Sequence, residues 1–152
     1  MKDPQIPEDI HADYVNEGAQ EALRAFTATP DYERLAAFLT SLREGYLVAD
    51  VTGSPGKKKG HRFRTIRSTK GQLVLPLFTS MDELRAISAP ERRGEVRGAV
   101  MPGRSALELI ATDRFVAAEF DKASSALVLL RKYVTLAAGD DEITAASLEA
   151  LR

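Results

Sequence analysis

The sequence predicts an α+β fold: a single domain with a mostly antiparallel or mixed sheet of about five strands, covered by helices, two of them at the N-terminus. Three observations carry this. The run Leu73-Val74-Leu75-Pro76-Leu77-Phe78 is apolar throughout, as in a strand buried on both faces. Two segments before it carry apolar residues at helical spacing. The chain, 152 residues at 44% hydrophobic and 28% charged, suffices for one core rather than two.

Taken in order, residues 1–14 form a lead rich in proline and acids, with too little apolar surface to offset the entropy of ordering it, and disorder is expected there. The domain proper is expected over 15–139. Asn16 can cap a helix from Glu17 to about Phe26, with Ala19, Leu23 and Phe26 on one face. A second helix is expected from Thr29-Pro30, since proline suits the first helical position; Leu35, Phe38, Leu39 and Leu42 make its stripe and Gly45 its end. Strand patterns follow at Tyr46–Val51, His61–Arg67 and Gln72–Phe78, joined by a glycine- and lysine-rich loop and by the turn Ser68-Thr69-Lys70-Gly71. Connections this short make them an antiparallel meander. Pro76 cannot donate to a ladder, which puts its end of the strand at an edge or leaving the sheet.

Ser80, three residues before Glu83, matches a capping box for a helix to about Ile87. Residues 90–103 are a mixed stretch without a pattern. A helix is expected from Gly103 to Thr112, then strands at Phe115–Phe120 and Ala126–Leu130. The latter is all apolar and can equally open a helix running through Tyr133 to Ala138; a strand followed by a helix is favoured. Residues 140–152 read as an acidic tail or a short terminal helix.

The stretch Pro76-Leu77-Phe78-Thr79-Ser80 followed by Met81-Asp82-Glu83-Leu84 resembles the signature of SseB-like N-terminal domain proteins, a bacterial family with a similar hydrophobic strand, a Phe-Thr pair and a following helix. The likeness runs from about Tyr32 to about Leu136. Where such proteins often show an Asn-Pro-like turn, this chain reads Phe115-Val116-Ala117-Ala118-Glu119-Phe120-Asp121-Lys122-Ala123-Ser124. The resemblance implies membership of a family named for enhanced serine sensitivity and brings no catalytic residues with it. It marks Phe78, Thr79, Ser80 and Glu83 as an interaction or structural signature.

Composition narrows the function classes. Net charge is −1, so no bulk field favours nucleic acid or an anionic membrane. There is no cysteine, which removes thiol nucleophiles and thiolate metal sites and suits a cytoplasmic setting. The only imidazoles are His11, in the lead, and His61, in a basic segment that repels a cation; no metal and no cofactor is expected. The lead has neither the apolar core of a signal peptide nor that of an anchor, and no apolar run approaches membrane-spanning length.

The strongest charge feature is Lys57, Lys58, Lys59, Arg62, Arg64, Arg67 and Lys70, with no acid among them. This is a candidate anion or nucleic-acid site, with Arg62 and Arg64 on one strand face and Phe63 as a stacking surface on the other, extended by Arg92, Arg93, Arg97 and Arg104 if the fold brings them near. The favoured alternative is a solvated hairpin whose charges guard an edge. Gly53-Ser54-Pro55-Gly56-Lys57 lacks the spacing, the hydroxyl after lysine and the following helix of a phosphate loop. Glu119 and Asp121 would share a strand face, as an acid–base pair or, preferred, as solvent-facing residues. Ser105, Ser124 and Ser125 fit caps or turns. These features favour a non-enzymatic interaction or regulatory module with a protein partner over anion binding, and anion binding over an enzyme.

Overall fold

The computed structural model describes residues 14–52 and 63–152. The expected disorder of the lead and the cations Lys57, Lys58, Lys59 and Arg62 therefore lie outside the described residues. The chain runs α1 (Glu17–Ala28), α2 (Tyr32–Glu44), β1 (Tyr46–Asp50), β2 (Ile66–Arg67), β3 (Leu73–Phe78), α3 (Met81–Arg85), a 3-10 segment (Pro90–Glu95), β4 (Gly98–Pro102), α4 (Gly103–Thr112), β5 (Ala117–Phe120), β6 (Leu127–Leu130), α5 (Arg131–Ala138) and α6 (Ala145–Ala150). This is the expected α+β fold with a mixed sheet.

The sheet order is β4-β1-β3-β5-β6, with β2 paired to β3 beside that path. Among the described residues only β3 and β5 pair in parallel. The expected meander needs correcting: β1 does not zip onto β2 but pairs with β3 on one side and β4 on the other. β1 and β2 share the same side of β3, β1 facing Leu77 and Phe78 and β2 facing Leu73 and Val74. That division also corrects the expectation for Pro76, which lies inside a central strand. The backbone groups of odd-numbered residues in β3 point to β5, as the bonds to the Leu73 and Leu77 carbonyls show. The nitrogen of Pro76 points the other way, into the fork between β1 and β2, where its missing N–H breaks no ladder.

One face of the sheet carries the main core. Leu47, Ala49, Leu75, Leu77, Ala118, Phe120 and Leu129 meet the helices there, with Phe38 of α2 edge-on to Phe120 at 5.2 Å between ring centroids. Leu148 of α6 joins the same core. Two arginines tie helix ends into this layer. Arg43 donates to the Leu136 and Ala137 carbonyls at 2.8 and 2.9 Å, and Arg131 to the Ala111 and Phe115 carbonyls at 2.7 and 3.1 Å. Both add donors to carbonyls at helix ends and in the loop after α4, where the intrahelical ladder runs out.

Helix starts follow local chemistry. Asn16 caps α1 as expected, its Oδ1 accepting from the Ala19 N–H at 3.0 Å. The start of α2 is later than Thr29-Pro30, because Asp31 supplies the stronger cap, accepting from the Arg34 N–H at 2.8 Å. The strand at Gly98–Pro102 falls in the stretch that showed no pattern. Its glycine and proline mask it in sequence, and its register with β1 runs through all five of its residues. Gly71 takes φ +79° in the turn before β3, as expected.

Candidate interaction surface

The β3–α3 junction, sharpest in the sequence, is the best-tied point of the fold. Ser80 caps α3, its Oγ accepting from the Glu83 N–H at 3.0 Å. The reciprocal half of the box is replaced: the Glu83 carboxylate accepts from Ser124 Oγ at 2.7 Å, in the turn after β5. Thr79 donates both its N–H and its hydroxyl to the Asp121 carboxylate, at 2.8 and 2.7 Å. Its carbonyl accepts from the Asn16 N–H at 2.7 Å. Asn16 in turn donates from Nδ2 to the Tyr46 carbonyl at 3.1 Å, so the starts of α1 and β1 are tied to the end of β3.

Asp121 is 2% exposed and holds φ +50°, just past the end of β5. Burial pushes its carboxyl up to about 6; the two Thr79 bonds oppose that, and the nearby Glu83 charge adds to it. Asp121 thus turns back onto Thr79 instead of pairing with Glu119 on a strand face. Its chemistry is that of a clasp between the ends of two parallel strands.

The opposite face of the sheet is covered only in part. A second cluster, Val48, Phe78, Met81, Leu84 and Val100, sits under α3, joined by Tyr14 and Tyr46. Beyond it the face is exposed in part: Ile66, Val74 and Glu119 are half-buried, Pro76 and Ala117 buried, and Val128 and Leu130 exposed. Pairing registers put Ile66, Val74, Ala117 and Leu130 in one row across the strands. Pro76, Glu119 and Val128 make the next. Both rows end on β6, an edge strand, where Val128 and Leu130 are 50% and 52% exposed. Two large apolar side chains exposed side by side on an edge strand are the kind of feature that marks an interaction site.

At the other end of these rows lies a cleft of about 450 Å³, within the usual range for ligand sites. Its apolar lining is Ile66, Pro76 and Ile87, and its cations are Arg64, Arg67 and Lys122. Arg67 donates to the Gly71 carbonyl at 2.8 Å. Arg64 and Lys122 take part in none of the ion pairs among the described residues. The one acid among the described lining residues, Asp50, is buried and accepts from the Thr52 N–H at 2.9 Å.

Of the cationic run, then, Arg64 and Arg67 meet at the cleft and Lys70 stands exposed in the turn before β3. Phe63, expected as a stacking surface, packs instead against the main core. Arg92, Arg93, Arg97 and Arg104 do not line the cleft; Arg93 bonds the Ser88 carbonyl and Arg104 pairs with Asp140. Phe78, Thr79 and Ser80 are buried. Lys122 belongs to no charge run or motif and is not a candidate from sequence, and Asp121 is one only as the partner of Glu119. Among the described residues no group of His, Cys, Asp and Glu could hold a metal, and no helix is long and apolar enough to cross a membrane.

No curated protein and no solved structure matches the chain. The SseB protein N-terminal domain model does match, over residues 20–135. That span starts within α1 and takes in every strand, the Thr79–Asp121 clasp, Arg64, Arg67 and Lys122. It leaves only the last helix and the flanking ends unmatched. The chain therefore belongs to the SseB protein N-terminal domain family.

Proposed function

We propose that this chain is a non-enzymatic interaction module that docks a partner protein on the open half of its sheet. The observation that carries the reading is the pair Val128 and Leu130, half exposed on the edge strand β6 and continuous with the rows that lead to the cleft. An edge strand also offers unpaired backbone groups to an incoming segment. The clasp at Asp121 and the cap at Ser80 suit a rigid platform, since each buried polar group there has a partner within the chain.

A photo-crosslinking residue placed at Val128 tests this in the cells that make the protein, with the same residue at Ala37, exposed on α2, as control. The expected result is an adduct with another protein at Val128 and none at Ala37, lost when Leu130→Asp is added. Only self-adducts, or none, overturn the reading.

A second reading, nucleic-acid binding through the basic hairpin, draws support from the convergence of Arg64 and Arg67 on one cleft. The inward turn of Phe63 removes its stacking surface.

A further inference from the structure

We infer that the cleft takes the acidic end of a short extended segment of the partner protein, a segment with two or three acids followed by apolar side chains that run on over Val128 and Leu130. The inference rests on the interaction-module reading and names the chemistry of the partner. Arg64 precedes β2, Arg67 lies in β2 and Lys122 belongs to the β5–β6 turn, so two separate pieces of chain, residues 64–67 and that turn, deliver three positive charges to one cavity. Arg64 and Lys122 have no acid of this chain within ion-pair distance among the described residues. An acidic segment supplies that countercharge, and the carboxylate–guanidinium match adds charge-assisted hydrogen bonds.

The apolar part of the lining decides between acidic partners. Ile66, Pro76 and Ile87 are aliphatic, and among the described residues no aromatic ring lines the cleft. Sites for single-stranded nucleic acid add stacking on aromatic rings to their positive charge, and the described lining offers no such ring. Glu119, in register between Pro76 and Val128, would also stand under a phosphate backbone laid along the row. A peptide can place an uncharged residue there.

Geometry sets the length. From the fork between β1 and β2 to β6 the surface crosses β3 and β5, three inter-strand steps of about 4.8 Å each, or roughly 14 Å. An extended chain advances about 3.3 Å per residue, so about five residues bridge the cleft and the exposed pair on β6. Acids at one end and apolar residues at the other would then meet the cations and Val128 with Leu130 together.

The probe is a fluorescein-labelled peptide, Glu-Asp-Glu-Gly-Val-Leu, followed by anisotropy with the full chain. A peptide with Gln, Asn and Gln for its three acids and a twelve-residue oligothymidylate serve as comparators. Expected is saturable binding of the acidic peptide, weakened at least tenfold by Arg64→Gln with Lys122→Gln, and weakened by raising salt from about 0.05 to about 0.3 M. Val128→Ser with Leu130→Ser should weaken it severalfold while leaving the salt dependence in place. All four side chains are exposed, and unchanged melting curves of the variants check that they fold.

Equal binding of the neutral peptide, indifference to the Arg64 and Lys122 changes, or tighter binding of the oligonucleotide each overturn the inference. If the peptide fails while a partner still crosslinks at Val128, the acidic-segment inference falls and the interaction-module reading stands. If the crosslink is also absent, both fall.

Discussion

Thr79 gives both its donors to Asp121, the backbone N–H at 2.8 Å and the hydroxyl at 2.7 Å, across a separation of 42 residues. The bond pair joins the ends of the two parallel strands, which no short hairpin can connect. It places a carboxylate in the interior, and two of the predictions below concern what that costs and what it holds.

The first concerns pH. The folded carboxyl of Asp121 is raised from an ordinary 3.8 to about 6. Between those values the folded chain binds more protons than the unfolded one, so this group's contribution to stability is greatest below about 4 and declines as pH rises towards and through 6. Over the whole window the change is at most on the order of 3 kcal/mol. Denaturant melts of the native chain and of Asp121→Asn at intervals from pH 4 to 7.5 check this. The difference between the two should narrow in favour of the variant as pH rises. A difference that stays constant would place the titration elsewhere.

Thr79→Val keeps the shape and removes the hydroxyl donor. A buried carboxylate that loses one of its two donors carries an unmet acceptor, costing about 1–3 kcal/mol at neutral pH. Because the lost bond favoured the ionised form, the Asp121 carboxyl should titrate higher still. A carbon-detected NMR titration of the aspartate carboxyls reads this directly, and an unmoved Asp121 would show that the hydroxyl bond is not made in solution.

Phe78→Ala should cost about 3–5 kcal/mol. The ring is fully buried in the smaller cluster with Val48, Met81, Leu84 and Val100, beneath a helix of five residues. Few neighbours are free to collapse into the space, since the sheet beneath is held by pairing on both sides of β3. A shift of the denaturant midpoint worth less than about 1 kcal/mol would mean the cluster is loosely packed.

How much of this was legible in the sequence depended on whether the cause was local. The cap at Ser80, the cap at Asn16, the positive φ of Gly71 and α4 over Gly103–Thr112 rest on residues within a few positions of one another, and they were readable. The segment 126–130 was ambiguous, because five apolar residues satisfy either period; the pairing of Leu127–Leu130 with β5 makes it a strand. What was hidden is long-range. Pro76 looked like an edge residue because sequence cannot show that β1 and β2 divide one side of β3 between them. Asp121 looked like a strand-surface acid because its partner is 42 residues away. Lys122 carries no local signal, and only the β5–β6 turn brings it to Arg64 and Arg67.

The last prediction separates two glycines that sequence could not rank. A Cβ added at Gly103 would sit 1.6 Å from the Leu42 carbonyl oxygen and 2.8 Å from its carbon. Both are backbone atoms at the end of α2, and Gly103 also donates to the Gly45 carbonyl at 2.7 Å, so neither chain can withdraw without breaking the junction of β4 with α4. At Gly98 the Cβ would meet Met81 Sδ, Leu84 Cδ2 and Val48 Cγ1 at 2.7 to 2.8 Å. Those are side-chain atoms, two of them at the ends of chains that can rotate, at a site already next to the edge of the sheet. Gly98→Ala should therefore cost about 1–3 kcal/mol, the usual range for overpacking. Gly103→Ala should exceed about 4 kcal/mol or abolish cooperative unfolding, because a main-chain clash has no rotamer to escape into. Urea melts of the two variants side by side decide it: Gly103→Ala as mild as Gly98→Ala would show that α4 can lift from the end of α2 at little cost.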